Sequence, residues 1–109
     1  MINLTQHKST PDQGCSEIVN VKRLRSLLTF KKLPGQLEIT ARAEHIARMA
    51  VDSGHDSALI GGAPFLMPVL ALALKEKGIV PFYAFSERVS TEKDGIKTSV
   101  FNHVGFIKA

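Results

Sequence analysis

The sequence predicts an α/β fold whose sheet is mostly parallel and closes with a C-terminal antiparallel β-hairpin. Three observations carry that expectation. An apolar run at 57–60 stops at Gly61-Gly62, an apolar helical segment follows from Phe65 to Lys77, and a second apolar strand runs from Gly78 to Ser86. Strand, helix and strand in that order form a βαβ unit, with parallel strands and a right-handed crossover. From Gln36 to Ser53, Ile39, Ala43, Ile46, Ala47 and Ala50 recur at three- and four-residue steps, the period of a helix with one buried face. Last, Asp94-Gly95 is a two-residue turn signal between Val89-Ser-Thr and Thr98-Ser-Val-Phe.

In chain order, Ile2 to Thr5 alternates apolar and polar residues and reads as the first strand. Gln6 to Gly14 is polar, holds Pro11 and reads as a loop. Ile18 to Val21 is a short apolar patch without an assignment. Leu24 to Phe30 reads as a short helix breaking near Lys31, with a strand ending at Phe30 as the alternative, and Pro34-Gly35 is a turn. On the long helix, Glu38, Arg42, His45 and Asp52 lie opposite the apolar face. Glu38/Arg42 and Glu44/Arg48 stand in favourable i,i+4 order, and Gly54 supplies the stop. His45 reads as a solvated side chain, and His55-Asp56 as part of the following turn.

The 65–77 segment is apolar on nearly every side, since Phe65, Leu66, Met67, Val69, Leu70, Leu72 and Leu74 cannot all face one sheet. A chain this small has little material for a second covering layer. A homodimer is therefore expected, with this helix near its interface; the alternative is that the N-terminal segments cover it. In the hairpin, a tip at Asp94-Gly95 pairs Lys93 with Ile96, Glu92 with Lys97, Ser90 with Ser99, Arg88 with Phe101 and Ser86 with His103. The same register joins Val89 to Val100 and Phe85 to Val104, unless a bulge intervenes.

Length and composition bound the function. A chain of 109 residues, 44% apolar and 22% charged, is expected to form one domain over 1–109. The apolar run from Ala63 to Leu74 holds two prolines and is too short to span a bilayer, so no membrane partner is expected. No basic stretch followed by an apolar block marks the start, and Cys15 stands alone in a polar segment. Both features point to the cytoplasm. The net charge of +4 concentrates at Lys22, Arg23, Arg25, Lys31, Lys32, Arg42 and Arg48. This reads as a solvated basic face, or else as an attractor of phosphates. Without a recognised motif or interleaved aromatics, nucleic acid is not an expected partner. His7, His45, His55 and His103 lack short ligand spacings, so neither a metal nor a cofactor is expected.

If the first three strands are parallel, their carboxyl ends gather Thr5, Gln6 and His7, then Gly61 and Gly62, then Ser86 and Arg88. The hairpin register adds His103 beside Ser86. Glycines admit a ligand to the backbone, a helix N-terminus favours an anion, and Arg88 can clamp a phosphate or carboxylate. If the helix starts at Pro68 rather than Pro64, that cradle is poorer, and a plain tight turn explains Gly61-Gly62 equally well. His7 and His103 are candidate proton carriers, and Ser86 is a candidate nucleophile without a recognised elbow or orienting acid.

A strand ending in Gly-Gly before an apolar helix and a further strand resembles small Rossmann-like ligand-binding domains. Over Ile2 to Thr5 and Ser57 to Arg88 it is similar to CARF-type nucleotide sensors and their ring-nuclease relatives, which hold a phosphate-rich ligand in a loop after a strand. The resemblance implies a Rossmann-like sheet of two or three layers, and it carries over no catalytic residue. In style the chain also resembles small uncharacterised proteins of bacterial mobile elements. The leading expectation is a small protein binding an anionic or nucleotide-like ligand. The alternatives are a hydrolase of a phosphate-bearing substrate working through His7 or His103, and a dimeric interaction module without small-molecule activity.

Overall fold

A computed structural model describes residues 1–109. The chain runs β1 (Ile2–Asn3), a 3-10 turn at Pro11–Gln13, β2 (Ser16–Glu17), α1 (Val21–Leu28), α2 (Gln36–Asp52), β3 (Ser57–Leu59), α3 (Met67–Glu76), β4 (Val80–Lys93) and β5 (Ile96–Lys108). The strands form one mixed sheet in the order β2-β1-β3-β4-β5, parallel except for the antiparallel β4–β5 pair.

The alternation of side chains sorts the sheet into two faces. Ile2, Leu4, Ala58 and Ile60 point into a core shared with Leu24 and Leu28 of α1, Ile39, Ala43, Ile46, Ala47 and Ala50 of α2, and Met67, Leu70, Ala71, Ala73 and Leu74 of α3. All five residues of the expected α2 stripe are buried. The opposite face presents Asn3, Leu59 and Phe82, which share one row of the parallel register. Asn3 and Leu59 are buried there as well. The connection from β1 to β2 crosses this side: Asn3 Nδ2 donates to the His7 carbonyl, and the 3-10 turn touches β5.

Several expectations need correction. The strand Ser16–Glu17 has no periodicity to announce it; two residues suffice because they pair with β1. Helix α1 begins at Val21, earlier than Leu24, because the Asn20 side chain caps it by accepting from the Arg23 N–H at 3.1 Å. Helix α3 begins at Met67, not Phe65. Ala63 to Leu66 form a preceding turn in which Leu66 and Met67 both donate to the Ala63 carbonyl. The covering layer that α3 seemed to lack is α2, which packs directly on it. Buried alanines on both helices permit a close approach, and Phe65 and Leu72 remain exposed. Glu44 does not pair with Arg48; it reaches Lys77 Nζ at 2.6 Å and so ties α2 to the end of α3. Glu38 and Arg42 do pair, at 3.2 Å.

Strand β4 does not stop near Ser86. It continues with β5 past the edge of β3 as a two-stranded ribbon, and the molecule reaches 52 Å along its longest axis. Asp94 and Gly95 both have positive φ, as a type I′ turn requires. The expected register holds from Lys93↔Ile96 through Ser86↔His103. Phe85 then pairs with Gly105 instead of Val104, because a bulge at Phe85/Ser86 places one extra residue in β5.

Candidate functional site

The connection leaving β1 runs to β2 on one side, and the connection leaving β3 runs to β4 on the other. Diverging connections open a crevice at the carboxyl ends of the two strands. A cavity of about 740 Å³ lies at this end of the sheet, lined by Thr5, Gln6, His7, Lys8, Thr10 and Gln13 from the first connection. Leu59 to Gly62 from the end of β3, Tyr83, Ala84 and Ser86 from β4, and Phe101 from β5 complete it.

Asn3 holds the first wall. Its buried side chain uses both ends: Nδ2 donates to the His7 carbonyl at 2.7 Å and to Glu17 Oε2 at 3.0 Å, while Oδ1 accepts from the Thr5 N–H at 2.9 Å. The Thr5 hydroxyl lies 2.7 Å from Asn3 Oδ1 and 2.9 Å from the His7 carbonyl oxygen, with one proton to share between them. Glu17 in turn accepts from the Ser9 N–H and hydroxyl. Burial pushes the Glu17 carboxyl up, but the bonds from Ser9 and Asn3, with the charge of Lys8, outweigh it and leave its pKa below the ordinary value. Farther along, a bond from the Thr10 side chain is the main reason that Asp12 is held low, and His103 adds a smaller attraction.

The glycine pair forms the second wall. A Cβ at Gly61 would stand 3.4 Å from Thr5 Cγ2, and Gly62 has a φ of +152° with Met67 Cε 3.4 Å from where its Cβ would be. Helix α3 contributes little to anion binding here. Leu66 and Met67 spend their N–H groups on Ala63, and Pro64 and Pro68 have none.

Of the residues singled out from sequence, Thr5, Gln6, His7, Gly61, Gly62 and Ser86 line this cavity. His103 pairs with Ser86 and stacks against Phe106 at 4.7 Å, and its Nδ1 is buried without a partner. Arg88 is outside the lining: it sits exposed on the ribbon and donates to Ser99 Oγ at 3.2 Å. Lys8, Thr10, Gln13 and Phe101 also line the cavity and escaped the sequence reading. Lys8 could have been found, since it directly follows three residues placed at a strand end. Cys15 is half-buried, and burial pushes its thiol up, which makes it a poor nucleophile at neutral pH.

These features define a small α/β protein with a mixed five-stranded sheet and an open cavity at the ends of its parallel strands. A family model described as "Uncharacterized protein MJ1673 family" matches residues 1–107, and the chain belongs to that family. Comparison with curated proteins finds no match, and comparison with solved structures finds none. No helix is long and apolar enough to cross a membrane.

Proposed function

We propose that the protein binds an anionic, nucleotide-like small molecule in the cavity where the connections of β1 and β3 diverge. The supporting observation is the convergence of three backbone segments, Thr5–Lys8, Ile60–Gly62 and Tyr83–Ser86, around one hollow of about 740 Å³. Small-molecule sites commonly measure about 300–1,000 Å³ and favour such switch points. In this reading Gly61 and Gly62 admit the ligand to the backbone, Lys8 supplies the positive charge, and Gln6, His7 and Ser86 orient it. His103 backs Ser86. Arg88, too far along the ribbon to line the cavity, has no part in binding.

The test is a thermal-shift screen at fixed salt with nucleotides, cyclic nucleotides, NAD derivatives and sugar phosphates. A ligand at a hundred times its Kd adds about 2.7 kcal/mol to stability. One phosphate-bearing class should raise the melting temperature, and Lys8→Ala should diminish the rise. No shift with any class overturns the reading. Turnover that disappears in His7→Ala while binding persists would make the protein a hydrolase acting through that imidazole.

A second reading, association of two copies of the chain, draws on a different observation. Phe85, Val100, Phe101 and Val104 on the ribbon are each more than half exposed. Sedimentation of the wild type and of Phe101→Ser separates the cases. A dimer weakened by the substitution supports association, and a monomer at every concentration rejects it.

A further inference from the structure

We propose that the groove between α1, the connection that follows it and α2 is a second anion site, which takes a linear chain of linked phosphate groups. The groove has a volume of about 580 Å³, and no apolar residue lines it. Lys22 and Arg25, three apart on α1, line it together with Lys31 and Lys32 of the connection that follows. Arg42 and Glu38 of α2 complete the charged lining.

The charge balance of the lining favours an anion. Arg42 is already committed: its guanidinium donates to the carbonyls of Ser26, Leu27 and Thr29 at 3.2, 3.3 and 2.6 Å and to Glu38 at 3.2 Å. That guanidinium answers both the carboxylate and the C-terminal end of α1, which is worth about half a negative charge. Lys22, Arg25, Lys31 and Lys32 are left without a carboxylate, because the remaining ion pair joins Lys77 to Glu44. Four like charges around one hollow repel each other, and a multivalent anion shared among them relieves that repulsion. The cations come from two chain segments, α1 and the connection after it, and the hollow offers far more room than one phosphate group fills. A chain of phosphates has the charges and the length to engage both segments, whereas orthophosphate carries a single centre. No aromatic side chain lines the groove to form a stacking platform for bases, which favours the phosphate chain itself over a nucleic acid strand.

The groove is a separate site from the cavity and rests on its own charge balance. The two are neighbours all the same. Gln6 Nε2, on the cavity rim, donates to Thr29 Oγ1 at 3.4 Å, and Arg25 also borders a smaller hollow shared with Thr5 to Lys8.

Titration calorimetry with inorganic tripolyphosphate at low and at physiological salt tests the proposal, with orthophosphate and a short oligothymidylate as comparison probes. The variants are Lys31→Glu/Lys32→Glu, at exposed positions outside the core, and Lys8→Ala in the cavity. Circular dichroism and melting curves establish that both fold. Tripolyphosphate should bind at least about tenfold more tightly than orthophosphate, with affinity falling as salt screens the exposed cations. The double charge reversal should cost at least about tenfold in affinity, and Lys8→Ala should leave it unchanged. Equal affinity for the two phosphates, no binding, or binding indifferent to the reversal overturns the proposal. Loss in Lys8→Ala with retention in the double variant would place the anion in the cavity and also overturn it. Tighter binding of the oligothymidylate would replace the oligophosphate with a nucleic acid strand.

Discussion

Asn3 shows how much of the cavity depends on one side chain that composition gives no reason to notice. It is the one polar residue among those classed as buried, and its amide joins the first connection to β2 through His7, Thr5 and Glu17. Replacing it by Ala strands those partners in a partly buried place, and we expect a loss of about 2–4 kcal/mol in urea unfolding. Asn3→Asp should do no better, because it sets a carboxylate against Glu17 and the His7 carbonyl. Glu17 adds a pH dependence. Its folded pKa lies below the reference value of 4.5. The stability it contributes is therefore present above the unfolded pKa and disappears as pH falls through the folded one. Melting curves from pH 6 to pH 3 should show the wild type losing an advantage that Glu17→Gln never has; parallel curves would reject the tie between Glu17 and Ser9. Chain position was enough to place Thr5, Gln6, His7, Gly61, Gly62 and Ser86 on one cavity. It could not place Arg88, because two residues along a strand is about 7 Å of travel. The alternation of Ile2, Asn3 and Leu4 turns Asn3 away from the core, but no local pattern reveals that the connection after β1 buries it there.

Elements were legible where a period or a turn was strong, and illegible where tertiary pairing made them. Helix α2 follows its apolar stripe, and the hairpin register follows from Asp94-Gly95 as far as Ser86. The bulge beyond it had one local sign, Gly105, a glycine inside a strand pattern. Strand β2 had none, because two residues become a strand only beside β1. The short helix α1 owes its persistence to neighbours as well as to Asn20. Arg42 of α2 collects three carbonyls at its C-terminal end and lies 4.3 Å over the Phe30 ring, which meets Phe65 edge-on at 4.9 Å. One guanidinium thus joins α1 and α2 to the turn before α3. Arg42→Ala should cost about 1.5–3 kcal/mol, the range for hydrogen bonds to a charged group. Arg42→Lys should recover little of it, since Nη1 serves the carbonyls while Nη2 serves Glu38 and the flat guanidinium covers Phe30, three tasks that one compact ammonium cannot share. Full recovery in the lysine variant would show that charge alone matters at this helix end.

Across the whole molecule, the core and the ribbon divide the chain. All nineteen residues of the central cluster lie between Ile2 and Ile79, whereas residues 90–102 are exposed throughout. A two-stranded ribbon beyond the sheet edge is marginal by itself and gives the core little cover. The core should therefore tolerate its removal. Glu87 and Asn102 pair across the ribbon in the same phase as Lys93 and Ile96, so residues 88–101 can be replaced by Asp-Gly without changing the register behind them. The excised stretch takes away Ile96, Val100 and Phe101, which are 66%, 53% and 73% exposed and therefore bury little. We expect cooperative urea unfolding with stability within about 1 kcal/mol of the wild type, the range for changes to exposed surface. Ligand binding should weaken only as far as Phe101 closes the cavity. A much larger loss, with a midpoint in the wild type that depends on protein concentration, would mean that the ribbon is covered in solution by a second copy. The apolar ribbon would then be a subunit contact, and part of the stability of the chain would belong to the assembly.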